Sequence, residues 1–193
     1  MQNNRQKKRS DRERYEWVQA LVYSVLAVVV LFTFVVRLIG VDGRSMVPTL
    51  RHGDRLLVLS PMLYDDYRYG DIVVLRKGTF MNDPIVKRVI ATEGQTVDID
   101  FRAGAVYVDG KLLKETYINE LTFEESGVEF PLTVPEGELF VMGDNRNHST
   151  DSRDPRLGTV DCRYVIGKAI AVAFPGISEE TGKREFERIG MIG

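Results

Sequence analysis

The sequence predicts a mainly β protein: a single N-terminal transmembrane helix followed by an antiparallel β domain with a small second subdomain. Two patterns carry that prediction. From Trp17 to Val36 twenty residues pass without a charge, WVQALVYSVLAVVVLFTFVV. At a rise of about 1.5 Å per residue such a helix spans the roughly 30 Å hydrocarbon core of a bilayer. Beyond residue 40 the apolar residues come instead in short runs punctuated by turn residues, with no long 3.6-residue period, which is the signature of strands. With 193 residues, 44% hydrophobic and 28% charged, the chain has the composition of one ordinary globular domain plus an appendage.

Residues 1–16 carry Arg5, Lys7, Lys8, Arg9, Arg12 and Arg14 against Asp11, Glu13 and Glu16. This basic tail stays in the cytoplasm by the positive-inside bias. A cleaved signal peptide and a buried core helix are the alternatives for the run at 17–36. The apolar part of a cleaved signal is usually about 7 to 15 residues and ends at small residues. Here the run continues into Arg37-Leu38-Ile39-Gly40 without such a site, which favours a retained anchor. The rest of the chain then lies on the outer face of the membrane. The whole chain has a formal charge of -2, so residues 17–193 are mildly acidic. No basic excess is present to hold a phosphate backbone, so nucleic acid is not expected as a partner. Cys162 is the single cysteine, which excludes an intrachain disulfide and a cysteine-rich zinc site.

Expected strands are Arg55–Leu59, Ile72–Arg76, Ile85–Ala91, Thr96–Ile99, Ala105–Val108, Lys111–Leu113, Phe130–Val134, Leu139–Met142 and Val165–Phe174. In AVYV-DG-KLL, Asp109-Gly110 supplies the positive φ values of a two-residue hairpin turn. Residues 98–135 are richer in charge and turns than their flanks and are expected to form a small subdomain or a hairpin excursion between the two parts of the core, 37–97 and 136–177. The tail at 178–193 frays or forms a short helix.

Three segments could carry chemistry. Ser45, in GVDGRSMVPTL, follows the anchor closely, where an enzyme acting on membrane-inserted substrates needs its nucleophile. Serines among glycines and prolines are also ordinary turn residues. A serine hydroxyl needs a base, normally a histidine oriented by a carboxylate. His52, beside a Gly-Asp turn, reads as a surface residue, whereas His148 lies in sequence near Asp144 and Asp151 and leaves a Ser-His-Asp triad open. The competing base is Lys87. On a strand, period two places it with Ile85, Val89 and Ala91, and burial there would favour the neutral amine. Val86 and Ile90 make the Arg88 face equally apolar, so the lysine could equally reach solvent. The third segment, GDNRNHSTDSR, crowds Asp144, Arg146, Asp151 and Arg153 with Ser149 directly after a strand. Such a loop is either a polar surface or a rigid frame of carboxylate–guanidinium pairs, with Ser149 able to orient a lysine amine.

Together these segments resemble the bacterial type I signal peptidases, membrane-anchored serine proteases with a Ser-Lys dyad that remove signal peptides from exported proteins. The resemblance runs in order through the anchor, GRSMVPTL, YGDIVVL at 69–75, KRVIATEGQTV at 87–97 and GDNRNHSTDSR. It implies Ser45 as nucleophile, Lys87 as general base and Ser149 as the hydroxyl that contacts the lysine. It also implies that Asp144, Arg146, Asp151 and Arg153 form structural ion pairs and that Arg88 is the arginine after the base. Gly43 stands where many members carry a serine of the oxyanion hole. As in the Gram-positive-type members, the hole then rests on the Ser45 N–H and a backbone donor near Gly43. By motif position Ile39, Val41, Met46 and Val86 line shallow pockets for small residues at the first and third positions before the cut. The implied partners are signal peptides of preproteins and membrane lipid, with no cofactor or metal and a monomeric state. The rival readings are another Ser-Lys protease, such as a pilin-processing peptidase or a self-cleaving repressor relative, and a noncatalytic membrane-tethered scaffold.

Overall fold

The structure, a computed structural model, describes residues 2–64, 66–178 and 181–192. The chain divides into two units, Met1–Val36 and Arg37–Gly193. In the first unit a helix, α1 (Gln2–Val30), ends in a π-helical turn, Leu31–Val35. The stretch Tyr15–Val35 has a mean hydropathy of 2.4, and its side chains, among them Leu21, Val25 and Phe32, are uncovered. By length and composition it can cross a membrane. The expected span is corrected at its end, because Val36 opens a strand, β1 (Val36–Gly40). Nothing in VVRLIG separates helix from strand, so one continuous apolar run hides two elements.

The second unit is built on two sheets. The larger contains β1, β2 (Arg55–Leu59), β3 (Ile72–Leu75), β4 (Ile85–Thr92), β9 (Glu138–Met142), β10 (Val160–Asp161), β11 (Val165–Phe174) and β12 (Gly190–Met191). Their order is β1-β2-β11-β3-β4-β9-β10, with β12 pairing β11 beyond the end of β3. The smaller sheet runs β7-β6-β5-β8, from β5 (Thr96–Asp100), β6 (Ala105–Val108), β7 (Lys111–Leu112) and β8 (Leu132–Thr133). The fold is therefore mainly antiparallel β behind one apolar helix, as expected. The Asp109-Gly110 turn has φ values of 52° and 71°, the two left-handed residues that its hairpin needs.

Period two sorts the interior. Ile72 and Val74 of β3 enter one apolar cluster with Val41, Met46, Leu50 and Val86, while Val73 and Leu75 enter another with Val89, Val141 and Val165. A third cluster joins Ile90 and Phe140 of the large sheet to Val97, Val106 and Val134 around the small one. Strands β3 and β4 are thus covered on both faces, and every residue from Val86 to Ala91 is buried. The choice between the Lys87 face and the Arg88 face disappears, since neither looks at solvent. Three strands escaped the sequence reading: β1, the two-residue β10, and β12 inside the tail.

Candidate active site

Ser45 sits in a loop pinned at both ends. Val41 N–H donates to Asp54 O at 2.8 Å and Gly53 N–H to Val41 O at 2.9 Å, closing residues 41–54 into a lobe. Inside it Leu50 N–H bonds Met46 O, one helical turn directly after the serine, while Met46 and Leu50 drop into the core. The other side of the lobe is held by Asn145. Its backbone N–H donates to Ser45 O at 3.0 Å and its side-chain amide to Arg44 O at 3.1 Å. Gly143 permits this approach, since a Cβ there would lie 2.4 Å from Ser45 O and 2.3 Å from Ser149 Oγ.

Lys87 comes from the middle of β4, between Val73 of β3 and the β9 strand, and is 3% exposed. Its Nζ lies 2.7 Å from Ser45 Oγ. Burial pushes the lysine down from 10.5 to about 8. Asp151 and Asp144 oppose that shift, and Arg153 reinforces it. At neutral pH a minority of molecules therefore carries the free amine, which can accept a proton from a hydroxyl.

Three ion pairs of the loop after β9 frame the site, and two of them reach outside the loop. Arg88 donates to Asp144 from Nε and Nη2, both at 2.8 Å, and its guanidinium stacks 4.0 Å over the Tyr117 ring. Asp151 and Arg153 are fully buried and paired at 2.8 Å, and Asp151 also accepts Gly143 N–H. Arg146 reaches out of the loop to Glu115, with Nη1 to Oε2 at 2.8 Å. Glu115 and Tyr117 were not singled out from the sequence, and Thr49 and Asn145 stand in the Ser45 and Asp144 segments without a role assigned to them. Each partner lies dozens of residues from the group it contacts, and no local spacing signals it.

Other expected residues make different contacts from those anticipated. Ser149 Oγ is buried with no hydrogen-bond partner, so the expected contact with Lys87 is not formed; the hydroxyl is pressed against Gly143 instead. The Gly43 N–H donates to His52 Nδ1 at 3.3 Å rather than standing free as an oxyanion donor. His148 has a side chain 73% exposed beside Glu120, and both carboxylates near it in sequence are held by arginines. It forms no triad with Ser45, whose hydroxyl is engaged by Lys87. Val41, Met46 and Val86 pack in one cluster with Ile39 against it; at 2% exposure Met46 backs that cluster from within rather than lining an open surface.

Residues 14–174 match the family described as Signal peptidase, peptidase S26. The chain belongs to that family. Signal peptidase I of Bacillus licheniformis is 38% identical over 83% of this chain and 89% of its own length. Signal peptidase I T of Bacillus subtilis is 36% identical over 83% and 85%. A crystal structure of a signal peptidase I from Enterococcus faecalis aligns with 30% identity and a TM-score of 0.45, covering 54% of this chain and 97% of that one. As a member of the signal peptidase family the chain is a serine endopeptidase of signal peptide processing. The family is membrane-associated, and the helix Tyr15–Val35 is apolar enough to serve that association.

Proposed function

We propose that this chain is a single-pass membrane enzyme that cuts signal peptides from exported preproteins after small residues, with Ser45 as nucleophile and Lys87 as its general base. The observation that carries the proposal is the 2.7 Å contact between Ser45 Oγ and the buried Lys87 Nζ. The neutral amine takes the Ser45 proton as Oγ attacks the scissile carbonyl. Backbone N–H groups, that of Ser45 among them, face the developing oxyanion. The lysine returns its proton to the leaving amine, then takes one from the water that attacks the acyl-enzyme. No step requires a metal or cofactor. The substrate lies extended and adds to a sheet edge, so backbone bonds supply affinity and side-chain pockets supply selection. Ile39 on the edge strand β1, with Val41 and Val86 beside it and Met46 behind, forms the shallow apolar wall that selects small residues. The basic tail faces the cytoplasm and the β domain the opposite side.

The test is cleavage of a secretory preprotein in detergent or liposomes, with N-terminal sequencing of the product. The full chain is expected to make one cut after a small residue, and His148→Ala is expected to make the same cut at the same rate. No cut, or a cut after a large residue, would contradict the substrate assignment; loss of activity in His148→Ala would contradict the lysine base.

A further inference from the structure

The C-terminal segment, expected to fray or to form a short helix, is tied to the lobe that carries Ser45. Asp54 is fully buried at the end of that lobe and is saturated with donors. Arg51 N–H donates to its Oδ2 and Gly176 N–H to its Oδ1, both at 2.8 Å. The remaining two bonds come from Arg188, with Nη1 to Oδ1 at 2.9 Å and Nη2 to Oδ2 at 2.7 Å. Nη2 of the same guanidinium also donates to Thr49 O at 3.2 Å, reaching the end of the helical turn that starts beside the serine. Gly176 is where the strap crosses the lobe, since a Cβ there would lie 2.2 Å from His52 O. Beyond it, Arg184 pairs with Ile177, Gly190 and Met191 pair with β11, and Ile192 packs against the cluster holding Met46 and Leu50.

These contacts connect to the frame of the dyad through Thr49. Thr49, held through its carbonyl by Arg188, donates its hydroxyl to Asp144, and Asp144 pairs with Arg88, the neighbour of Lys87 in β4. Asn145, next to Asp144, fixes the carbonyls of Arg44 and Ser45. The lobe is therefore clamped between the Asp144–Asn145 pair on one side and Arg188 on the other. A bidentate fork on a buried carboxylate defines direction as well as distance, which a lysine cannot fully reproduce.

We propose that Arg188 is a positioning residue for catalysis: through Asp54 and Thr49 O it sets the 41–54 lobe so that Ser45 Oγ stays within hydrogen-bond reach of Lys87. This rests on the assignment of Ser45 as nucleophile. Arg188 bonds Asp54 and Thr49 O and none of the residues assigned to the substrate pockets, so its loss is expected to act on turnover rather than on substrate binding. A displacement of about 1 Å at a reacting group can cost about a hundredfold in rate.

The test compares kcat and KM of the full chain in detergent on a preprotein, for wild type, Arg188→Ala, Arg188→Lys, Glu185→Gln and Ser45→Ala. Assays are run at a temperature where near-UV circular dichroism shows each variant folded. Arg188→Ala is expected to lose at least about tenfold in kcat, with KM within about twofold and the pH midpoint unchanged, because Lys87 keeps its surroundings. Arg188→Lys is expected to recover part of that loss. Glu185 ties the same strap to the Arg51 side chain of the lobe but leaves the fork on Asp54 intact, so Glu185→Gln is expected to lose clearly less kcat than Arg188→Ala. Wild-type kcat in folded Arg188→Ala, or an equal loss in Glu185→Gln, would overturn the positioning role. If Arg188→Ala does not fold, Arg188→Lys carries the comparison, and wild-type kcat there overturns it. Activity retained by Ser45→Ala would instead remove the nucleophile assignment and this inference with it.

Discussion

Replacing Lys87 by arginine, alanine or methionine is expected to lower kcat/KM by about a thousandfold or more, within or beyond the roughly 10² to 10⁴ that a general base contributes. Arginine is the informative variant. It keeps a cation beside Ser45 but has no accessible neutral form, so it can neither accept the serine proton nor return it to the leaving amine. The methionine variant separates catalysis from stability. Lys87 is held down to about 8 chiefly by burial. Between about 8 and the ordinary lysine value the unfolded chain binds more protons than the folded one, so the lysine's contribution to stability rises with pH across that window. Below about 8 the lysine is charged in both states and the cost of burying it is fully present, on the order of 3 kcal/mol. Lys87→Met is therefore expected to be inactive yet to melt higher than wild type at pH 7, with the gain shrinking toward pH 10. Activity would be read by preprotein cleavage and stability by thermal unfolding of the same preparations. An inactive variant that melts lower would show that the lysine is a structural element first.

Removing the Asp151 carboxylate is expected to be the most damaging change to the frame. Asp151 and Arg153 are both fully buried, and Arg153 also holds the carbonyls of Arg146 and Glu124. Asp151→Ala leaves a guanidinium in the interior without its counter-ion. Breaking a buried pair from one side costs about 3–5 kcal/mol, a fall of roughly 10 °C in Tm for a domain of this size. The exposed Arg163–Asp161 pair is a control: Arg163→Ala is expected to leave Tm unchanged, because water and salt screen that interaction. Asp151→Asn adds an electrostatic readout. The Asp151 charge favours the Lys87 ammonium and Arg153 opposes it, so neutralising the carboxylate is expected to move the activity midpoint to lower pH. A Tm within 2 °C of wild type in Asp151→Ala would contradict the buried-pair account.

Residues whose roles depend on local pattern were readable from the sequence. The Asp109-Gly110 hairpin, most of the strands and the apolar span follow from spacing within a few residues, whereas the Ser45, Lys87 and Asp144 segments were joined only by the family resemblance. Lys87 marks the limit. Alternation places it on one face of β4 but does not say that both faces are covered, a consequence of packing β4 between β3 and β9 with apolar clusters on either side. Long-range pairing was invisible for the same reason. Glu115 meets Arg146, and Arg188 meets Asp54 across more than a hundred residues, only because the sheets bring their strands together. The Ser149 expectation, drawn from the polar loop and from the resemblance alike, assigned the hydroxyl to the lysine, whereas the turn after Gly143 packs it against the backbone.

The most direct test of the Ser45–Lys87 assignment is the pH dependence of kcat/KM for the full chain on a preprotein substrate. Activity is expected to rise with pH through a single midpoint near about 8, where buried Lys87 loses its proton. A midpoint near about 6.5 would place a histidine in the role of base, and one near about 10.4 would mean an ordinary solvated lysine; either would contradict the account.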